Sequence, residues 1–210
     1  MTDLWPDIEL LLRRYGRQIE RPARYINNEW GCTYKPEAEY RYAMCYPDTY
    51  ELGQANQAVR ILCNRVNNVE GMAAERAFLP AADMCDLMRE HGIPAFSLES
   101  CAPLAEFDAI GITLPHELAA TNVLELLDLA GIPVRSADRD ETCPLIMAGG
   151  PCAFNAEPYA PFFDVIMLGE GEESLPELLE LHRKLRAEGM PKDRILHEMA
   201  KVSGTYVPSL

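Results

Sequence analysis

The chain is short of basic charge. Nineteen lysines and arginines stand against 33 aspartates and glutamates in 210 residues, a formal net charge of −14. A field of that sign repels phosphate backbones and argues against nucleic acid as a direct partner. No apolar run approaches the roughly 20 residues that a membrane-crossing helix needs. The first residues, Met1-Thr-Asp-Leu-Trp-Pro-Asp7, place acids ahead of the apolar stretch and offer no small-residue cleavage site. They do not read as a secretion signal, and the expected compartment is the cytoplasm.

Local metal and nucleotide motifs are missing as well. Seven cysteines are present: Cys32, Cys45, Cys63, Cys85, Cys101, Cys143 and Cys152. None forms a C-x-x-C or a C-x-x-x-C-x-x-C, so neither a zinc knuckle nor a compact iron–sulfur loop can be assembled from local spacing. An odd count without a secretion signal argues for reduced thiols that pack as small hydrophobes. Cys152, after Gly-Gly-Pro at a strand end, is the one expected to be exposed and reactive. The histidines make no H-x-x-H or H-x-x-x-H, which removes the usual zinc hydrolase helix. Neither G-x-G-x-x-G nor G-x-x-x-x-G-K-[ST] occurs, and with them go the common phosphate cradles. No G-x-S-x-G nucleophile elbow is present.

What remains is an ordinary globular chain, 48% hydrophobic and 25% charged. Ile8, Leu11, Leu12 and Tyr15 fall at helical spacing and Gly16 follows as a stop. Residues 21–31, near Pro22 and ahead of Pro36, read as extended. From residue 41 a regular alternation begins. Strands are expected at 42–46, 75–79, 96–99, 107–114, 145–148 and 164–168, several of them stopped by proline or glycine. Helices are expected at 54–67, 81–91, 116–130 and 172–187, the last with Pro176 in its first turn, where proline costs little. This pattern predicts an α/β fold: a three-layer, flavodoxin-like parallel sheet with helices on both faces, preceded by a helical and extended N-terminal segment. The expected organisation is an arm over residues 1–40, a sheet domain over 41–190, and a C-terminal helix and linker over 191–210.

In such a sheet, ligands sit beyond the carboxyl ends of the strands. The residues there are Tyr46-Pro-Asp48-Thr-Tyr50-Glu-Leu-Gly53, Gly111-Ile-Thr113-Leu-Pro-His116, Ala148-Gly149-Gly150-Pro-Cys-Ala-Phe-Asn155 and Gly169-Glu170-Gly171-Glu172. Glycines at these ends let a ligand approach the backbone. The plain alternatives are a turn at Asp48, a tight bend at Gly149-Gly150, and helix-dipole complementation by Glu170 and Glu172.

These residues resemble a family. Cobalamin-binding domains carry Asp-x-His-x-x-Gly after the first strand, a Ser-x-Leu after a middle strand and Gly-Gly after a later one. Asp48, Tyr50 and Gly53 keep the first spacing with tyrosine for histidine. Thr113 stands for the serine, with Pro115 in place of the leucine, and Gly149-Gly150 matches. Gly169-Glu-Gly-Glu172 resembles a loop of cobalamin-binding domains fused to radical S-adenosylmethionine (SAM) enzymes. Leu4-Trp-Pro-Asp, Arg21-Pro-Ala-Arg-Tyr, Ser97-Leu-Glu-Ser, Leu129-Ala-Gly-Ile-Pro, Arg135-Ser-Ala-Asp-Arg-Asp140 and Ala148-Gly-Gly-Pro-Cys-Ala-Phe-Asn-Ala-Glu-Pro158 extend the similarity to one bacterial family of that kind.

The resemblance implies an accessory domain that holds a corrinoid at the carboxyl edge of its sheet without the usual histidine axial ligand, since a neutral phenol is a poor cobalt ligand. Asp48, Tyr50, Gly53, Thr113, His116, Gly149, Gly150, Glu170, Gly171 and Glu172 are the implied contacts. It also implies a radical SAM domain of the same parent chain as partner, following about where residue 210 stands. The iron–sulfur cluster and S-adenosylmethionine belong to that domain, and this chain alone is expected to catalyse nothing. The alternative is a degenerate domain with no cofactor that docks a substrate or a partner.

Overall fold

Two different sets of side chains line the two faces of one sheet. The computed structural model of the protein describes residues 1–26, 29 and 32–210. The strands are β1 Tyr40–Tyr46, β2 Met72–Phe78, β3 Ala109–Thr113, β4 Leu145–Gly149, β5 Val165–Met167 and β6 Thr205–Tyr206. They lie in the order β2-β1-β3-β4-β5-β6. The first five are parallel and β6 runs antiparallel to β5. The five parallel strands have the flavodoxin-like order, with the direction of winding reversing between β1 and β3.

Helices α1 (Trp5–Tyr15), α4 (Ala82–His91) and α5 (Ala120–Leu129) cover one face; α3 (Gln57–Asn67), α6 (Gly171–Ala187) and α7 (Lys192–Met199) cover the other. Strand alternation sorts the residues. Ala43, Cys45, Ile110, Ile112, Ile146, Ala148 and Ile166 face the first set of helices. Tyr42, Met44, Leu145, Met147, Val165 and Met167 face the second. The second face is thus rich in thioether and aromatic side chains, and large apolar groups of this kind contribute roughly 1.5–3 kcal/mol each when fully buried.

The structure departs from the sequence expectation at four places. The helix expected over 54–67 is two: α2 (Tyr50–Ala55) and α3, broken at Asn56, whose side chain accepts from the Ala58 N–H. An N-capping asparagine starts a new helix at small cost. Residues 96–99 form no strand of the sheet, only an isolated bridge from Phe96 to Pro103. The reason is Glu75, a buried carboxylate on β2 that accepts from the Ser97 hydroxyl at 2.7 Å, the Ser100 hydroxyl at 2.5 Å and the Ser100 N–H at 3.1 Å. Pro22–Tyr25 is a short 3-10 turn rather than extended chain, with the proline at its start. Residues 27, 28, 30 and 31 of that stretch lie outside the described residues. Finally, Pro176 sits in the second turn of α6 and leaves the Glu172 carbonyl without its helical donor. Arg65 Nε donates to it instead, at 2.8 Å.

Outward-facing backbone groups of the edge strand β2 are also occupied. The Asn67 amide both donates to and accepts from the backbone of Ala74, at 3.1 and 3.0 Å. Glu99 accepts from the Arg76 N–H at 2.7 Å, and the Leu98 N–H donates to the Arg76 carbonyl at 2.8 Å. At the other end of the chain, residues 191–210 hold α7 and then return to the sheet as β6.

Candidate functional site

The parallel strands finish on one side, and the loops that follow them enclose a cavity of about 350 Å³ between the strand ends, α3 and α6. Its floor is the thioether and aromatic face: Tyr42, Met44, Met147 and Met167. One wall is Ile61 and Leu62 of α3; the rim is Phe154, which is 74% exposed.

Six residues singled out by sequence meet here: Thr113, Gly149, Gly150, Glu170, Gly171 and Glu172. The loops that carry them are tied together by the Leu114 N–H, which donates to the Gly149 carbonyl at 2.7 Å, and the Cys152 N–H, which donates to the Leu114 carbonyl at 3.1 Å. Gly150 has φ of 102°, and a β-carbon on it would come within 2.9 Å of the Thr113 hydroxyl. Only glycine takes that turn without strain. At Gly149 the nearest atom to an added β-carbon is Met167 Cβ at 4.0 Å, so the backbone there borders open space. Thr113 is nearly buried, and its hydroxyl makes no hydrogen bond among the described residues. Glu170 and Glu172 open α6, where negative charge complements the helix dipole. The cavity therefore offers a largely apolar floor, the Thr113 hydroxyl and two carboxylates: a lining that accepts amide or hydroxyl hydrogens more readily than it accepts phosphate.

The remaining four candidates lie elsewhere. The Asp48 carboxylate accepts from the Thr49 N–H at 2.7 Å, and its carbonyl accepts from the Leu79 N–H at 3.1 Å, tying the loop to the end of β2. The Tyr50 hydroxyl donates to Glu29, away from the cavity. Burial first, and then the Glu29 carboxylate, pushes the Tyr50 phenol up to about 12. Glu29 also takes a hydrogen bond from Gln54 and an ion pair from Arg76. Burial pulls the Glu29 carboxyl upward, but Tyr50 and Arg76 outweigh it and hold it below its ordinary value. Gly53 is a packing glycine: a β-carbon there would meet the Phe78 ring at 2.3 Å. His116 is exposed ahead of a 3-10 turn and lies outside the cavity lining.

Sequence reasoning missed the floor. Tyr42, Met44, Met147 and Met167 share one strand face, a parity visible in the sequence only after the strands are set in register. It overrated Cys152. That thiol is half-buried, and burial, then Glu117, raises its pKa, so it lacks the thiolate character of a reactive cysteine. Two motifs of the resemblance prove to be packing devices. Ser97 and Ser100 serve Glu75, while Glu99 pairs with Arg76 at 2.6 Å. Ser136 donates to the buried Asp164 at 2.6 Å, and Arg139 pairs with the same carboxylate at 3.4 Å.

Residues 58–208 match the family described as the N-terminal region of radical SAM proteins. An uncharacterized protein of Methanocaldococcus jannaschii is 27% identical over 149 residues, which make up 70% of this chain and 28% of that protein. The chain thus spans little more than a quarter of that relative's length. The six cavity residues fall inside the matched range; Asp48, Tyr50 and Gly53 fall before it.

Proposed function

This chain belongs to the family of radical SAM protein N-terminal regions, and from that membership we propose that it presents a corrinoid, held by its tail in the carboxyl-edge cavity, to a radical SAM domain of the same parent chain. The observation that carries the reading is the cavity itself, open at Gly149 and floored by Tyr42 and three methionines.

The residues fit part of such a ligand. The gap over Gly149 admits a flat group against the backbone, the apolar floor takes an aromatic base, and Thr113, Glu170 and Glu172 meet hydroxyl and amide groups. They supply no axial imidazole: Tyr50 is turned to Glu29, and His116 lies outside the cavity. A corrinoid supplies the cobalt chemistry; the chain's own residues bind and orient it. Leu52, Leu118, Phe154 and Leu168, which follow β1, β3, β4 and β5, are all exposed apolar side chains at this same edge. Exposed apolar surface beside a cavity is what a docked partner covers. Cluster and S-adenosylmethionine binding are assigned to the partner domain.

The test is a titration of the purified chain with hydroxocobalamin, followed by visible spectrum and melting temperature. Saturable stabilisation is expected, approaching about 4 kcal/mol at a thousandfold excess over Kd. Gly149→Leu, which fills the gap, abolishes it, and His116→Ala leaves it unchanged. A flat titration overturns corrinoid binding and selects the alternative, a docking module without cofactor, which the engagement of Tyr50 by Glu29 favours. That module is then recognised by its binding of a separately expressed radical SAM domain.

A further inference from the structure

The opposite end of β4 carries a second cavity, of about 190 Å³, under the amino end of the strand and against α6 and α7. Leu145 lies at this end and Gly149 at the other, so the two cavities are separated by the length of a five-residue strand, about 13 Å. Nothing in the carboxyl-edge reading uses it.

Its wall includes His182, a residue only 5% exposed. The His182 Nδ1 lies 2.6 Å from the hydroxyl of Tyr40, itself 2% exposed. That is the hydroxyl's one hydrogen-bond partner among the described residues, so its proton goes to Nδ1. A buried donor left without an acceptor is destabilising. Burial, and then the nearby Arg186, pushes the imidazole down to about 4, so the ring is neutral and carries its own proton on Nε2. Nε2 has no partner among the described residues and is not sealed from solvent. His182 thus brings to the wall of the cavity a neutral ring whose free N–H has no protein acceptor among the described residues.

The rest of the lining defines what would receive it. Leu145, Met190, Ile195 and Leu196 supply the apolar half of a lining whose other half is polar. Arg186 and Lys192 line it as cations, Arg186 also paired to Asp108 at 2.6 Å and Lys192 to the buried Asp164 at 3.2 Å; Glu141 is the one lining carboxylate. A dry cavity of about 150 Å³ admits benzene, so this one has room for a single ring or a short branched chain.

We propose that this cavity is a second ligand site, taking a ring-sized organic carboxylate whose oxygen accepts the Nε2–H of His182 while its apolar body lies against Leu145, Met190 and Leu196. The site is independent of corrinoid binding and stands or falls without it.

Benzoate is the probe, added to the intact 210-residue chain with the histidines labelled in ¹⁵N. Saturable movement of the His182 Nε2 resonance is expected, with a parallel rise in melting temperature. Leu196→Trp, which fills the cavity and leaves Tyr40 and His182 in place, weakens benzoate binding at least tenfold. Should that variant not fold, Met190→Phe fills the space from the rim and has the same expected effect. Benzylamine, with the same ring and the opposite charge, binds at least tenfold more weakly than benzoate. No saturable shift by about 10 mM benzoate, where a millimolar ligand would be nearly saturating, overturns the site. Benzoate binding that survives filling overturns the location, and equal binding of benzylamine overturns the ligand class.

Discussion

The Tyr42 hydroxyl stands 1.8 Å from the point where a β-carbon on Gly111 would lie. The tyrosine, 1% exposed, lays its ring across the neighbouring strand and forms the floor of the carboxyl-edge cavity. Its hydroxyl donates to Met44 Sδ at 3.3 Å. Gly111 is therefore fixed by packing between two strands, and the shape of the cavity depends on it.

Gly111→Ala forces the Tyr42 ring out of place, and overpacking of this kind costs about 1–3 kcal/mol. The urea midpoint is expected to fall with an unchanged m-value. Tyr42→Phe removes the nearest clashing atom, so the double variant recovers part of the loss. A double variant as unstable as the sum of the two single changes would show that the contact is not the cause.

Arg65 replaces a hydrogen bond that Pro176 cannot make to Glu172. Arg65→Ala is expected to destabilise by about 1 kcal/mol. In a Pro176→Ala background the new backbone N–H bonds Glu172 itself, and the same Arg65 change becomes nearly silent. Equal effects in both backgrounds, measured by chemical denaturation, refute the substitution of one donor for the other.

His182 predicts a pH dependence. Its pKa is about 4 in the folded protein, against about 6.5 unfolded, so the unfolded chain binds the extra proton between those values. Stability from this residue is complete above pH 6.5 and is lost as pH falls toward 4, by on the order of 3 kcal/mol. Carboxylates titrate in the same window, so the readout is the difference in slope between the wild type and His182→Phe from pH 6.5 to 4. Identical slopes would mean that the imidazole is not held neutral by burial.

The parallel sheet was legible because strands buried on both faces are continuous apolar runs, and here Pro47 and Pro115 punctuate them. Gly149-Gly150 and Gly169-Glu-Gly171 were legible as strand-end loops, and the cavity gathers both. The segment Phe96–Glu99 was not, because its apolar residues alternate like a strand while Ser97 and the adjoining Ser100 serve a carboxylate 22 and 25 residues away. The orientation of Tyr50 was not either: Glu29, 21 residues upstream, decides it. His182 lies on α6 beside the basic residues that close the helix, and nothing in the local sequence marks it. Its partner Tyr40 is 142 residues distant, a relationship that only the packed sheet creates.

The closed border of β2 has a consequence for assembly. Asn67, Leu98 and Glu99 already hold the backbone groups of Ala74 and Arg76 that another chain would need for strand pairing. Lateral growth of the sheet, the usual route from an exposed strand to ordered aggregates, is blocked on that side without any proline or bulge. On the far side β6 presents two residues only. Two such molecules meeting at β2 find Ala74 and Arg76 already paired, so strand addition at those residues would require Asn67, Leu98 and Glu99 to release them first.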